Sequence, residues 1–250
     1  MRSYTKILAL LVVASTFTYC RTPQYSLQQE KINYKVDNSI AEDTAIVNYY
    51  IPFKHKLENE MNRVIGYTEY SLTRSRSQVE TSAGNFFTDA LLEIGKLQDP
   101  NAQVALATKG GIRADIKQGN VTVGNVFELM PFENAVTILE ISGEDMNTLL
   151  HFIAKTEGQP VSGLKMDIKA GKPINVFIAN QPFDIDKTYK LVTYDYLANG
   201  GDYMEGLNNP IKRTDTGIIV RKGLIDYIEK LTKEGKTINT QIDGRIKVIK

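Results

Sequence analysis

The sequence predicts an α+β fold in which mixed sheets carry helices on their outer faces. Strand-like and helix-like segments alternate along the chain, yet several strands are separated only by short turns, which argues against a strictly repeating βαβ unit. The composition, 42% hydrophobic and 24% charged over 250 residues, is that of an ordinary globular protein of one domain, or one plus a short arm.

The chain opens with a targeting signal. Arg2 and Lys6 precede an apolar run from Ile7 to Phe17, which is the length of a secretory core and too short to span a bilayer. Cys20, the single cysteine, follows directly, so no disulfide can form within the chain. This order resembles a bacterial lipoprotein signal (residues 1–19) with lipidation at Cys20, although Tyr19 stands where such signals prefer a small residue. An ordinary signal peptide with a buried or free Cys20 is the alternative. Residues 20–40 are polar and read as a tether, leaving 41–250 as the folded domain. The expected location is outside the cytoplasm, with a lipid anchor in a membrane.

A helical pattern runs from Ala41 to Ile65, with Leu57, Met61, Val64 and Ile65 on one face, Pro52 starting or kinking it and Gly66 as its stop. Tyr67–Thr73 alternates as a strand. Phe87, Leu91 and Ile94 give one face of a helix over 85–94, and Val104–Ala107 is a short apolar strand entering a Gly110-Gly111 turn. Ala135–Ile141 reads as a strand and Ser142-Gly-Glu-Asp145 as a capped helix start, followed by Met146, Leu149, Leu150 and Ile153 at helical spacing. Strands are expected near 164–168, 174–178 and 189–194, then a helix holding Leu224, Ile228 and Leu231, and a closing strand at 245–249.

Three segments carry the chemistry. Asp195-Tyr-Leu-Ala-Asn-Gly-Gly-Asp-Tyr203 sets an aromatic face, Tyr196, six residues before a carboxylate, Asp202, across the Gly200-Gly201 turn. Gly110-Gly111-Ile112-Arg113 puts a guanidinium after a glycine pair, and Pro131-Phe132-Glu133-Asn134 adds a second aromatic and an amide. Two aromatic faces can hold a base between them, while Asn134, Asp202 and Arg113 can hydrogen-bond to base, ribose or phosphate. Taken singly, each has an ordinary explanation: core packing for the rings, a turn role for Asn134 and Asp202.

Together with Glu80-Thr-Ser-Ala-Gly-Asn85, and in this order, the segments resemble the C-terminal domain of the 5'-nucleotidase and UDP-sugar hydrolase family. The resemblance implies a layered α/β/β/α domain with mixed sheets. It implies that Phe132 and Tyr196 stack on the base, Asp202 accepts from the ribose hydroxyls, and Arg113 points at ribose or phosphate. Asn134 falls near the base, and Gly110, Gly111, Gly200 and Gly201 shape the pocket. Arg74 and Arg76 lie near a second family arginine, neither in register. Thr108 and Lys109 stand where many relatives have asparagine and a third glycine, a departure that bears on one hydrogen bond to the base.

Nothing in the sequence resembles the family's metallophosphatase domain. Its two-metal chemistry needs D-x-H, G-N-H-[DE] and G-H-x-H motifs, and the two histidines, His55 and His151, sit in none of them. No dinucleotide fingerprint, phosphate loop or nucleophile elbow occurs either. A formal charge of +1 gives no footprint for nucleic acid. The expected ligand is a nucleoside or nucleotide, with no cofactor or metal in this chain and no catalytic residues. Three readings remain: the recognition half of a phosphohydrolase completed by a separate metallophosphatase chain, a solitary nucleoside-binding lipoprotein, and a fold whose pocket no longer works.

Overall fold

The computed structural model describes residues 33–37 and 39–249. The signal segment, Cys20 and most of the tether therefore lie outside the described residues. Among the described residues, those from Asn48 to Ile249 form one compact unit, separate from those that precede Asn48.

The first described helix, α1 (Thr44–Met61), has no buried residue. Asp43 starts it by accepting from the Ala45 and Ile46 amides. Pro52 lies within it, where an unbonded carbonyl one turn back can face water, so the helix continues past the proline. The expected stripe through Val64 and Ile65 is corrected: these residues form β1 (Val64–Thr68), and Gly66 is a strand residue. A Cβ there would lie 2.5 Å from Ile228 Cγ2, so Gly66 answers a close approach and not a helix stop. The expected strand to Thr73 likewise ends early, with Leu72 making an isolated bridge to Ile116.

Next come α2 (Ser82–Gln98), capped by Thr81 Oγ1 accepting from the Gly84 amide at 3.1 Å, and β2 (Val104–Leu106). A pair that the sequence reading left unassigned follows, β3 (Gly119–Thr122) and α3 (Val123–Leu129), joined by a capping box between Thr122 and Asn125. Then run β4 (Ala135–Ser142) and α4 (Gly143–Lys155), with Ser142 Oγ accepting from the Asp145 amide as expected. β5 (Val161–Ser162), β6 (Leu164–Lys169), β7 (Lys172–Ile178), β8 (Gln181–Pro182) and β9 (Thr188–Tyr194) complete the middle of the chain. The last third holds α5 (Asp195–Ala198), a single 3₁₀ turn (Gly201–Tyr203), β10 (Lys212–Ile219), α6 (Val220–Lys233) and β11 (Ile246–Ile249).

The sheets are mixed, as expected. One has five strands in the order β10-β4-β9-β2-β5, another four in the order β11-β6-β7-β8, and β1 pairs with β3. In the five-stranded sheet β2 and β9 are parallel, while β4 is antiparallel to both β9 and β10. Buried residues run almost without a break along β4 and β9, the pattern of strands covered on both faces. Phe86, Phe87 and Leu91 of α2 are fully buried, and Gly95 lets the helix settle on Val192. A buried cluster fastens the C-terminal strand. Glu80 accepts from the Asn85 side chain and from the Asp243 and Gly244 amides, while Arg245 donates to Asp89, Asp243 and the Val161 carbonyl. Burial alone would raise the Asp243 pKa, but Arg245 outweighs it and holds that carboxyl below its ordinary value.

Candidate functional site

The carboxyl ends of the parallel strands β2 and β9 open at the same edge as the start of β4. This is where an α/β sheet commonly offers a crevice, because loops leave neighbouring strands in different directions. A cavity of about 750 Å³ lies there. Phe132, Tyr196, Asp202, Arg113, Asn134, Gly110 and Gly111 all line it, so seven of the residues singled out in the sequence meet in one place. Gly200 and Gly201 are not in its wall. They form the turn behind Tyr196: Gly200 takes φ +86°, and a Cβ on Gly201 would lie 2.5 Å from the Tyr196 ring.

Tyr196 lies on α5, a turn of helix the sequence reading did not foresee, and projects from β9's end toward the cavity. Its hydroxyl donates to Asp202 Oδ1 at 3.1 Å and accepts from the Asp202 amide at 3.3 Å. That leaves Asp202 Oδ2, which a Cβ on Gly110 would approach to 3.6 Å, on the side of the glycine pair. Asp202 and Tyr203 both hold φ +53°, and Tyr203 is 93% exposed at the rim. Phe132 and Tyr196 are 39% and 46% exposed, so the two aromatic walls are half open to solvent.

The floor is Tyr194, which the sequence does not single out, and Thr108, which stands at the family's asparagine position. Thr108 Oγ1 accepts from the Gly111 amide at 3.1 Å, closing the turn that carries Arg113. Burial pushes the Tyr194 hydroxyl up to about 12, with the Thr108 hydrogen bond opposing it weakly. Gly111 stays glycine because a Cβ would meet the Tyr194 hydroxyl at 2.6 Å. Lys109 does not line the cavity; its ammonium donates to the Glu157 carbonyl.

Arg113 donates to the Gly110 carbonyl at 3.2 Å, and its guanidinium carbon lies 6.0 Å from the Phe132 ring centre. Arg76 lines the cavity as well, whereas Arg74 is absent from the wall and offers only its backbone amide to Asp115. The Pro131–Asn134 loop is held from behind by Arg221, at the start of α6. This buried guanidinium stacks on Phe127 at 4.1 Å, donates to the Met130 and Phe132 carbonyls, and pairs with Glu133. No local motif announces it, since its partners lie about ninety residues away along the chain.

Among the described residues no group of three His, Cys, Asp or Glu side chains is placed to hold a metal ion. His55 and His151 are exposed on α1 and α4. The cavity presents the Phe132 and Tyr196 rings over the buried Tyr194, the Asp202 and Glu133 carboxylates, the Asn134 amide and the Arg76 and Arg113 guanidinium groups. No described helix is long and apolar enough to cross a membrane.

Residues 64–209 match the family described as 5'-nucleotidase, C-terminal domain. The chain is 28% identical over 203 residues to a 5'-nucleotidase of Vibrio vulnificus, covering 78% of this chain and 36% of that protein. It is 27% identical over 251 residues to the trifunctional nucleotide phosphoesterase protein YfkN of Bacillus subtilis, covering 89% and 16% respectively. Among solved structures, the 5'-nucleotidase precursor of Thermus thermophilus superposes with a TM-score of 0.69 at 28% identity, over 83% of this chain and 44% of that one. The chain therefore spans well under half the length of these relatives.

Proposed function

Because the chain belongs to the 5'-nucleotidase C-terminal domain family, we propose that it is the nucleotide-recognising half of a 5'-nucleotidase-type phosphohydrolase, with metal-dependent hydrolysis supplied by a separate metallophosphatase chain. The observation that carries this reading is the convergence of Phe132, Tyr196, Asp202 and Arg113 on one cavity. In this reading Phe132 and Tyr196 sandwich the base, and Asp202 Oδ2 accepts from the ribose hydroxyls. Arg113 and Arg76 supply charge-assisted donors to the phosphate. Asn134 reads the base edge. The chain's own residues bind and orient, and the attacking water and its metals belong to the partner.

The half-open aromatic walls support a partner, because a second surface over the cavity would complete the enclosure. Export is the proposed location, with lipidation of Cys20 tethering the protein to a membrane. The test is an assay of the purified chain with nucleoside monophosphates and Mn²⁺ or Zn²⁺, alone and with a metallophosphatase chain carrying D-x-H and G-H-x-H. The reading expects phosphate release only from the mixture. Robust release by this chain alone would contradict it.

A second reading, a solitary nucleoside-binding protein, is favoured by one observation: every group needed to hold base and ribose comes from this chain. It expects tight binding that a partner does not improve.

A further inference from the structure

Asp195 lies just outside the cavity and touches two of its walls. Its Oδ1 accepts from Asn134 Nδ2 at 2.9 Å and from the Tyr196 amide at 2.7 Å. A carboxylate can only accept, so the end of the Asn134 amide that faces Asp195 must be the NH₂. Spending the hydrogen trans to the carbonyl on this bond leaves the other edge of the amide, Oδ1 with the second N–H, for a ligand. The cis hydrogen shares an edge with Oδ1, and pointing that edge at Asp195 would press oxygen against oxygen.

On this geometry Asn134 would offer Oδ1, with the remaining N–H beside it, to a ligand in the cavity that it lines. Glu133, in the same loop, also lines the cavity, with its carboxylate paired to Arg221. The Asn134 amide edge is the part of this wall suited to read a base. A base bearing an exocyclic amino group beside a ring nitrogen acceptor complements it, as in adenine, because an amide pairs with both atoms at once. A base with a carbonyl at that place sets oxygen against oxygen unless Asn134 turns over, which Asp195 forbids.

We infer that Asp195 is a positioning residue that makes the site select amino-bearing over oxo-bearing bases, by locking the Asn134 amide in one orientation. The inference rests on the nucleoside-binding reading of the cavity and goes beyond it in assigning base choice to a residue outside the wall. It also explains why one oxygen serves both donors: the base-edge reader and the stacking tyrosine are held to a common point.

Adenosine and inosine share the ribose and differ at this edge, so they are the probes. Titration of the full chain should give adenosine affinity about five- to tenfold above inosine, the scale of one hydrogen bond made or opposed at a half-open site. Asp195→Ala frees Asn134 to turn over, and the ratio should fall to about one while binding of both remains measurable. Asp195→Asn keeps an acceptor oxygen for both donors and should keep most of the preference. Asn134→Ala should also abolish the preference, and it serves if Asp195→Ala does not fold. Equal affinities in the unmodified chain would overturn the inference and leave the binding reading standing. So would equal weakening of both nucleosides in Asp195→Ala with the ratio intact, since that is what a purely structural role predicts. Binding of neither nucleoside by the unmodified chain would overturn both.

Discussion

Tyr196 joins the two halves of the pocket at the level of single atoms, because its ring faces the cavity while its hydroxyl holds Asp202 Oδ1 at 3.1 Å. A stacking face alone was legible in the sequence, from an aromatic placed six residues before a carboxylate. The hydroxyl's role was not, since it depends on the turn at Gly200 bringing Asp202 back over the ring. Tyr196→Phe should keep the stack and lose this tie, weakening adenosine binding by about 0.5–1.5 kcal/mol, which calorimetry resolves. Phe132→Ala removes a whole stacking face and should cost about 1–3 kcal/mol in the same titration. Arg76 shows the limit of reading by register. Its sequence position does not align with a family arginine, but the loop before α2 brings it to the cavity.

Elements were legible where periodicity was strong and local. β4, α4 and β2 follow from alternation, a Ser142 cap and a continuous apolar run, and the end of β2 and the start of β4 border the cavity. The segments that failed are those in which tertiary contacts override the local signal. Gly66 has the look of a helix stop but sits in a strand pressed on Ile228, and β10 is a polar edge strand that periodicity leaves unassigned. Glu80 and Asn85 belonged to the motif pattern, yet they fasten residues 241–244 and do not line the main cavity. The loop carrying Phe132 depends on α6 through Arg221. Arg221→Ala should lower unfolding free energy by about 1–3 kcal/mol and weaken nucleoside binding beyond what stability explains, because the freed carbonyls no longer fix the loop. Gly201→Ala should disturb the site more than the fold. Its methyl group would displace the Tyr196 ring, so binding should fall sharply while the melting temperature moves little.

At the scale of the folded unit, a cavity lies at the open edge of a well-packed mixed sheet, and the buried Tyr194 links the two. Tyr194 is buried beneath the cavity, with its hydroxyl raised to about 12 from an ordinary value of 10.0. Below pH 10 it is protonated whether folded or not, and it adds no pH dependence. Between about pH 10 and 12 only the unfolded chain releases the proton, so stability should fall by about 1.4 kcal/mol per pH unit from this group. Denaturant titrations of Tyr194→Phe should show that slope reduced by the same amount. The central claim is that this chain by itself holds a nucleoside between Phe132 and Tyr196 with its ribose on Asp202. Isothermal titration of the purified chain with adenosine 5'-monophosphate in excess chelator tests it most directly. Saturable binding that Asp202→Ala weakens by about tenfold or more is the predicted result. Absence of saturation at millimolar ligand, or binding that Asp202→Ala leaves unchanged, would contradict it.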